Sequence, residues 1–158
     1  MRLPILTLFA FLFLTACFST QKMHSESMAV YAFRLSPGQD LKRELDAFAR
    51  EKGLRAGFVI TCVGSLRKAV LRPADQQVPL VREQKLEIVS LVGTLSPDGS
   101  HLHIALSDST GATLGGHLLE GCEIYTTAEI VVGEARGLRF SREVDPATTF
   151  KELKVREE

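Results

Sequence analysis

The sequence predicts an α+β domain, a largely antiparallel mixed sheet with one or two flanking helices, and three observations predict it. Apolar residues recur at helical spacing in a single stretch, about residues 40–52. Short alternating or continuous apolar runs, separated by turn residues, fill most of the chain beyond it. Those strand-like runs follow one another directly, a pattern that builds a sheet packed on few helices.

The elements follow in order. In residues 29–35, Val30, Ala32 and Arg34 alternate with Tyr31, Phe33 and Leu35, which is strand periodicity. Ser36-Pro37-Gly38 breaks the run. Asp40 is a candidate N-cap, Leu41, Leu45, Phe48 and Ala49 form one helical face, and Gly53 stands where a C-terminal cap glycine belongs. Residues 56–63 and 66–71 read as two strands separated by Gly64-Ser65, and residues 75–79 as a polar loop. A long strand over 86–95 is closed by Ser96-Pro97-Asp98-Gly99, a strong turn signal. Strands over 101–107, 113–118, 125–133 and 138–143 complete the set.

Lys plus Arg equals Asp plus Glu at 19 each, so the basic excess that nucleic-acid binding usually needs is missing. The first residues are different. Arg2 precedes an uncharged apolar run over 3–16, shorter than the roughly 20 residues needed to cross a bilayer. A charged start followed by such a run describes a secretory signal peptide. Leu14-Thr15-Ala16-Cys17 resembles the bacterial lipobox, which implies lipidation at Cys17 and anchoring without a spanning helix. The expected organisation is a signal peptide over 1–16, a polar tether over 17–27, a domain over 28–153 and a tail over 154–158. The expected location is the periplasmic side of a bacterial membrane, the outer membrane favoured because Phe18 rather than Asp follows the cysteine. The competing reading is translation from Met23 or Met28. Cys62 and Cys122 lie in apolar contexts and read as separate buried thiols, although an oxidising compartment would let them pair.

Three histidines fall in the domain: His101, His103 and His117. Side chains alternate along a strand, so Leu102, Ile104 and Leu106 share the core face while His101, His103 and Ala105 share the other. A three-residue loop of Ser109, Thr110 and Gly111 would make opposed positions sum to 220, which sets His103 against His117. Directly opposed Cβ atoms lie about 4.5–5.5 Å apart, and His101 would sit diagonally at about 7–8 Å. Three converging imidazoles suit a zinc-like ion. One extra loop residue, or a bulge at Gly115-Gly116, would break the arrangement. The plainer reading is three half-exposed polar residues on the wet face of a hairpin. Glu120, Glu87 and Glu129 are candidate acid/base groups, Glu120 foremost as the catalytic choice because it follows His117 by three residues.

Residues 86–94 (LEIVSLVGT), 101–108 (HLHIALSD) and 115–121 (GGHLLEG) resemble the plants and prokaryotes conserved domain, PPC. Gly57-Phe58-Val59, Gly64-Ser65-Leu66 and Thr127-Ala128-Glu129 fit the same pattern, so the resemblance spans about residues 28–153. It implies a largely antiparallel sheet with flanking helices, assembled as a homotrimer. Plant members carry an AT-hook and bind DNA; the Arg-Gly-Arg-Pro hook is missing here, so that role is not carried over. The chain is similar to the prokaryotic form, in which the three histidines hold a divalent metal, typically zinc, and which has a structural likeness to acetolactate decarboxylase. The expected function is therefore a lipid-anchored, metal-binding domain, with metal-assisted decarboxylation or hydrolysis of a small molecule as its chemistry. The alternative is a non-catalytic oligomeric interaction module without DNA binding.

Overall fold

The computed structural model describes residues 23–158. The expectations for 1–16 and for Cys17 lie outside the described residues. Met28–Leu35 forms β1, and Leu41–Lys52 forms the single helix, α1. Asp40 caps that helix by accepting the backbone N–H groups of Lys42 and Arg43, both at 3.0 Å. Gly53 ends it in the left-handed conformation, φ +63°, which glycine adopts at little steric cost. Six further strands complete a seven-stranded sheet with β1: β2 Gly57–Arg72, β3 Leu80–Arg82, β4 Leu86–Ser96, β5 Gly99–Ser107, β6 Thr113–Leu118 and β7 Glu123–Ala135; β8, Leu138–Val144, lies outside it. β9, Lys151–Glu157, pairs with β8.

The architecture is mainly β with one helix, and every strand pairing among the described residues is antiparallel, so the expected mixed sheet is not seen. The two strands expected over 56–71 are one continuous strand, β2. Gly64 does not end it; the strand passes through with register irregularities against β7 at Val59/Thr61 and Gly64/Leu66. These let one long strand bend without giving up its pairing. The short β3 and the C-terminal β9, which runs past the expected boundary at 153, carry weak strand periodicity and were not expected.

β2 is the spine. Leu66 is flanked by Leu86 of β4 and Ile124 of β7, and Leu71 by Leu80 of β3 and Leu118 of β6. β6 thus returns to β2 and closes β2, β4, β5 and β6 into a ring, with β7 and β1 continuing the sheet. The core is aliphatic: Leu41 and Leu45 of the helix pack with Leu66, Leu95, Leu106 and Ile124, all fully buried. Cys62 and Cys122 are separate, free and buried in this core, and burial pushes their thiols up to about 12 and about 11. A second, smaller cluster of Ala56, Leu138 and Phe140 attaches the β8–β9 hairpin.

Candidate metal centre

The site is built on the β5–β6 hairpin. Asp108 shapes its loop, accepting from the backbone N–H of Thr110 at 2.8 Å and of Ala112 at 3.1 Å. Asp108 N–H in turn donates to the Ala112 carbonyl at 3.0 Å, which leaves Ser109, Thr110 and Gly111 as the loop. The register that follows is His103 opposite His117, as the alternation predicts, with Ser107 opposite Thr113. Leu102, Ile104 and Leu106 are buried on the other face.

Gly115-Gly116 introduces no register shift between β5 and β6. Gly116 permits close backbone approach instead: a Cβ there would lie 2.7 Å from the Arg72 carbonyl oxygen. That approach pairs β6 with β2 and brings Arg72 directly opposite His117. Val92, His103, His117 and Arg72 therefore form one cross-strand row over four strands.

The three imidazoles converge. His117 Nδ1 lies 3.2 Å from His101 Nε2 and 3.1 Å from His103 Nε2. The rings of His101 and His117 stack at 5.0 Å between centroids, and that of His103 stands nearly perpendicular to His117. Without an ion, the single lone pair of His117 Nδ1 can accept an N–H from either neighbour. The same separations fit ligation: nitrogens at about 2.0–2.1 Å from a tetrahedral ion stand about 3.3 Å from each other. His101, His103 and His117 are the one group of metal-ligating side chains close enough to share an ion among the described residues. Burial holds the His117 imidazole down to about 4, with Arg72 and the other two histidines acting in the same direction. His101 is lowered by burial first and by Arg142 second. Both shifts favour the neutral ring, the form that binds metal.

A cleft of about 590 Å³ opens beside the cluster. Its wall includes His101, His117, Arg72, Arg142, Phe150 and Lys151. Arg142, from β8, places Nη1 3.0 Å from His101 Nδ1, and its Nη2 donates to the Lys151 carbonyl. Two carboxylates, Asp75 and Glu152, share the wall. Glu120 is not among the lining residues: it sits beyond the end of β6, and its carboxylate accepts from Arg43 Nε at 2.8 Å with both side chains exposed. Glu87 and Glu129 stand on β4 and β7, away from the cleft. Sequence reasoning nominated none of Arg72, Arg142 or Glu152, because only the return of β6 to β2 and the docking of the C-terminal hairpin bring them here.

Comparison with known proteins shows relatives in sequence and in fold. Over 135 residues, 85% of the chain, it is 53% identical to the bifunctional protein GlmU of a Synechococcus strain, and it spans 22% of that protein's length. A hypothetical protein from Salmonella enterica superposes with a TM-score of 0.84 at 39% identity, covering 87% of this chain and 99% of the other. A protein from Archaeoglobus fulgidus described as metal-containing superposes at 0.73 with 28% identity, covering 85% and 99%. Another, from Bacteroides thetaiotaomicron and described only as a proposed DNA-binding protein, superposes at 0.68 with 26% identity, covering 86% and 96%. The model of the Plants and Prokaryotes Conserved (PCC) domain matches residues 23–136, and the chain belongs to that family.

Proposed function

We propose that this chain is a PCC domain that binds one divalent, zinc-like ion through His101, His103 and His117. The observation that carries the reading is the convergence of three ring nitrogens on one point, two of the separations being 3.1 and 3.2 Å. The similarity to a metal-containing protein of the same fold supports it. A bound ion of this kind supplies Lewis acidity towards a carbonyl, or a bound water acidified to about 7. The reaction class we assign is decarboxylation or hydrolysis of a small molecule. The chain's own residues do the rest. His101 and His117 face the cleft, so a reacting group in it reaches the ligand atoms. Asp75 and Glu152 stand on the same wall for proton transfer, a position Glu120 does not share. Elemental analysis of the purified protein should find about one zinc-like ion per chain, removable by chelator. Protein that takes up no metal under excess zinc would end the reading.

Anchoring at Cys17 and assembly as a homotrimer belong to the same proposal. The lipobox-like run supports the first. The second draws on exposed apolar side chains of the sheet: Val92, directly opposite His103, and Val30, Val63 and Val89 on β1, β2 and β4. Membrane fractionation of a Cys17→Ala variant and sedimentation of residues 28–158 test these two parts separately. Partners of the nucleic-acid class are disfavoured by the balance of 19 basic and 19 acidic residues.

A further inference from the structure

The contact between Arg142 and His101 has the wrong polarity for a finished metal site. If His101 ligates through Nε2, the atom that faces the other two histidines, the neutral ring carries its proton on Nδ1. The outer N–H of a ligating histidine ordinarily donates to a carboxylate, a carbonyl or water. Here the atom 3.0 Å from Nδ1 is Arg142 Nη1, itself a donor with no acceptor capacity. Two N–H groups would then point at each other across an ordinary hydrogen-bond distance. The guanidinium is held there from behind, since Nη2 donates to the Lys151 carbonyl, and the strand beneath it is tied by the Arg142 backbone N–H donating to Asp98 at 3.2 Å.

The charge around the cleft has the same sense. Arg72, Arg142 and Lys151 line it, and none makes an ion pair with a carboxylate among the described residues. Lys42, a fourth cation on the wall, is neutralised by Asp46 at 2.7 Å. Of the two wall carboxylates, Glu152 accepts a hydroxyl from Thr148 at 3.0 Å. A divalent ion on three neutral imidazoles would add to this positive excess. Guanidinium groups answer such an excess best by gripping an oxyanion, whose oxygens can accept from both a fork and a neighbouring ring N–H. The volume, about 590 Å³, is that of a small-molecule site.

We propose that the cleft binds a small oxyanion, a carboxylate or a phosphate, between Arg142 and Arg72, with one oxygen accepting from His101 Nδ1–H. The C-terminal hairpin decides which anion fits, because Arg142, Phe150, Lys151 and Glu152 all come from residues beyond the family match, which ends at 136. The inference rests on the metal reading above. Glu152, on the same wall, is the internal competitor for the cations.

The test is calorimetric titration of zinc-loaded protein with pyruvate and, separately, with inorganic phosphate, with zinc content measured on the same samples. One or both probes should bind, and Arg142→Gln and Arg72→Gln should each weaken binding by about tenfold or more while zinc content stays at the wild-type value. Arg142→Lys should recover part of the loss. Binding of pyruvate alone identifies a carboxylate site, and binding of phosphate alone a phosphate site. Full zinc occupancy with no binding of either probe at millimolar concentration overturns the proposal and leaves the metal reading standing. Unchanged anion affinity in both arginine variants also overturns it. Wild-type protein without zinc takes down both readings together.

Discussion

Replacing His117 by alanine removes the nitrogen on which the other two imidazoles converge, 3.2 Å from His101 Nε2 and 3.1 Å from His103 Nε2. An ion held by three ring nitrogens would keep two. Losing a group that merely orients a ligand weakens metal binding about 10–100-fold, so losing the ligand itself should cost at least about 100-fold. At fixed metal concentration, that loss takes about 2.7 kcal/mol of linkage stabilisation from the loaded protein. For a domain of this size each kcal/mol moves the melting temperature by about 2–4 °C, so the loaded midpoint should fall by about 5–11 °C. The metal-free midpoint should hardly move. His117 is only partly buried, its lost hydrogen bonds go to solvent-accessible partners, and the buried neighbour Leu118 is untouched, which keeps the cost to about 1 kcal/mol or less. Scanning calorimetry in buffered zinc and in chelator reads both numbers. A variant that keeps the wild-type zinc shift, or a wild type that shows none, refutes the reasoning.

Three other outcomes follow from the same structure. Asp40→Ala removes the cap of α1 and strands the Gly121 backbone N–H, which Asp40 also accepts; the urea midpoint should correspond to a loss of about 1–2 kcal/mol. Gly116→Ala puts a methyl group 2.7 Å from the Arg72 carbonyl oxygen, so β6 must move off β2. It should cost about 1–3 kcal/mol and weaken zinc uptake, both read by titration. The third concerns pH. His117 in the fold is held down to about 4, below its ordinary value near 6.5, so between those values the unfolded chain binds the proton first. Stability of the metal-free protein should therefore be full above about 6.5 and fall as pH drops towards about 4, and His117→Gln should flatten that slope.

The hairpin that carries the histidines was legible because its determinants are local. Period-two alternation puts Leu102, Ile104 and Leu106 on one face, and a loop fixed by Asp108 leaves a single register. The helix was legible for the same reason, with Asp40 and Gly53 marking its ends. What sequence reading missed is non-local. Arg72 meets His117 only because β6 returns to β2, 45 positions back along the chain. Arg142 meets His101 through a hairpin whose strands alternate weakly, and β9 mixes Leu153 and Val155 with five charged residues, a pattern that reads as solvated tail. Glu120, three residues past His117, lies beyond the end of the strand, and its carboxylate goes to Arg43.

The C-terminal hairpin forms a two-stranded sheet of its own, paired from Leu138 with Glu157 to Val144 with Lys151. Two strands alone are marginally stable in water. This pair is fastened by a three-residue apolar cluster and by Phe140 N–H donating to the Arg55 carbonyl at 2.8 Å, while β2 and β7 are locked into a seven-stranded sheet. The free energy of local opening should differ accordingly, and amide hydrogen exchange reports it directly. Protons of β8 and β9 should exchange well ahead of those in β2 and β7. Each such opening would lift Arg142 from His101 and uncover the cleft, while the pairing of His103 with His117, set by β5 and β6, stays intact.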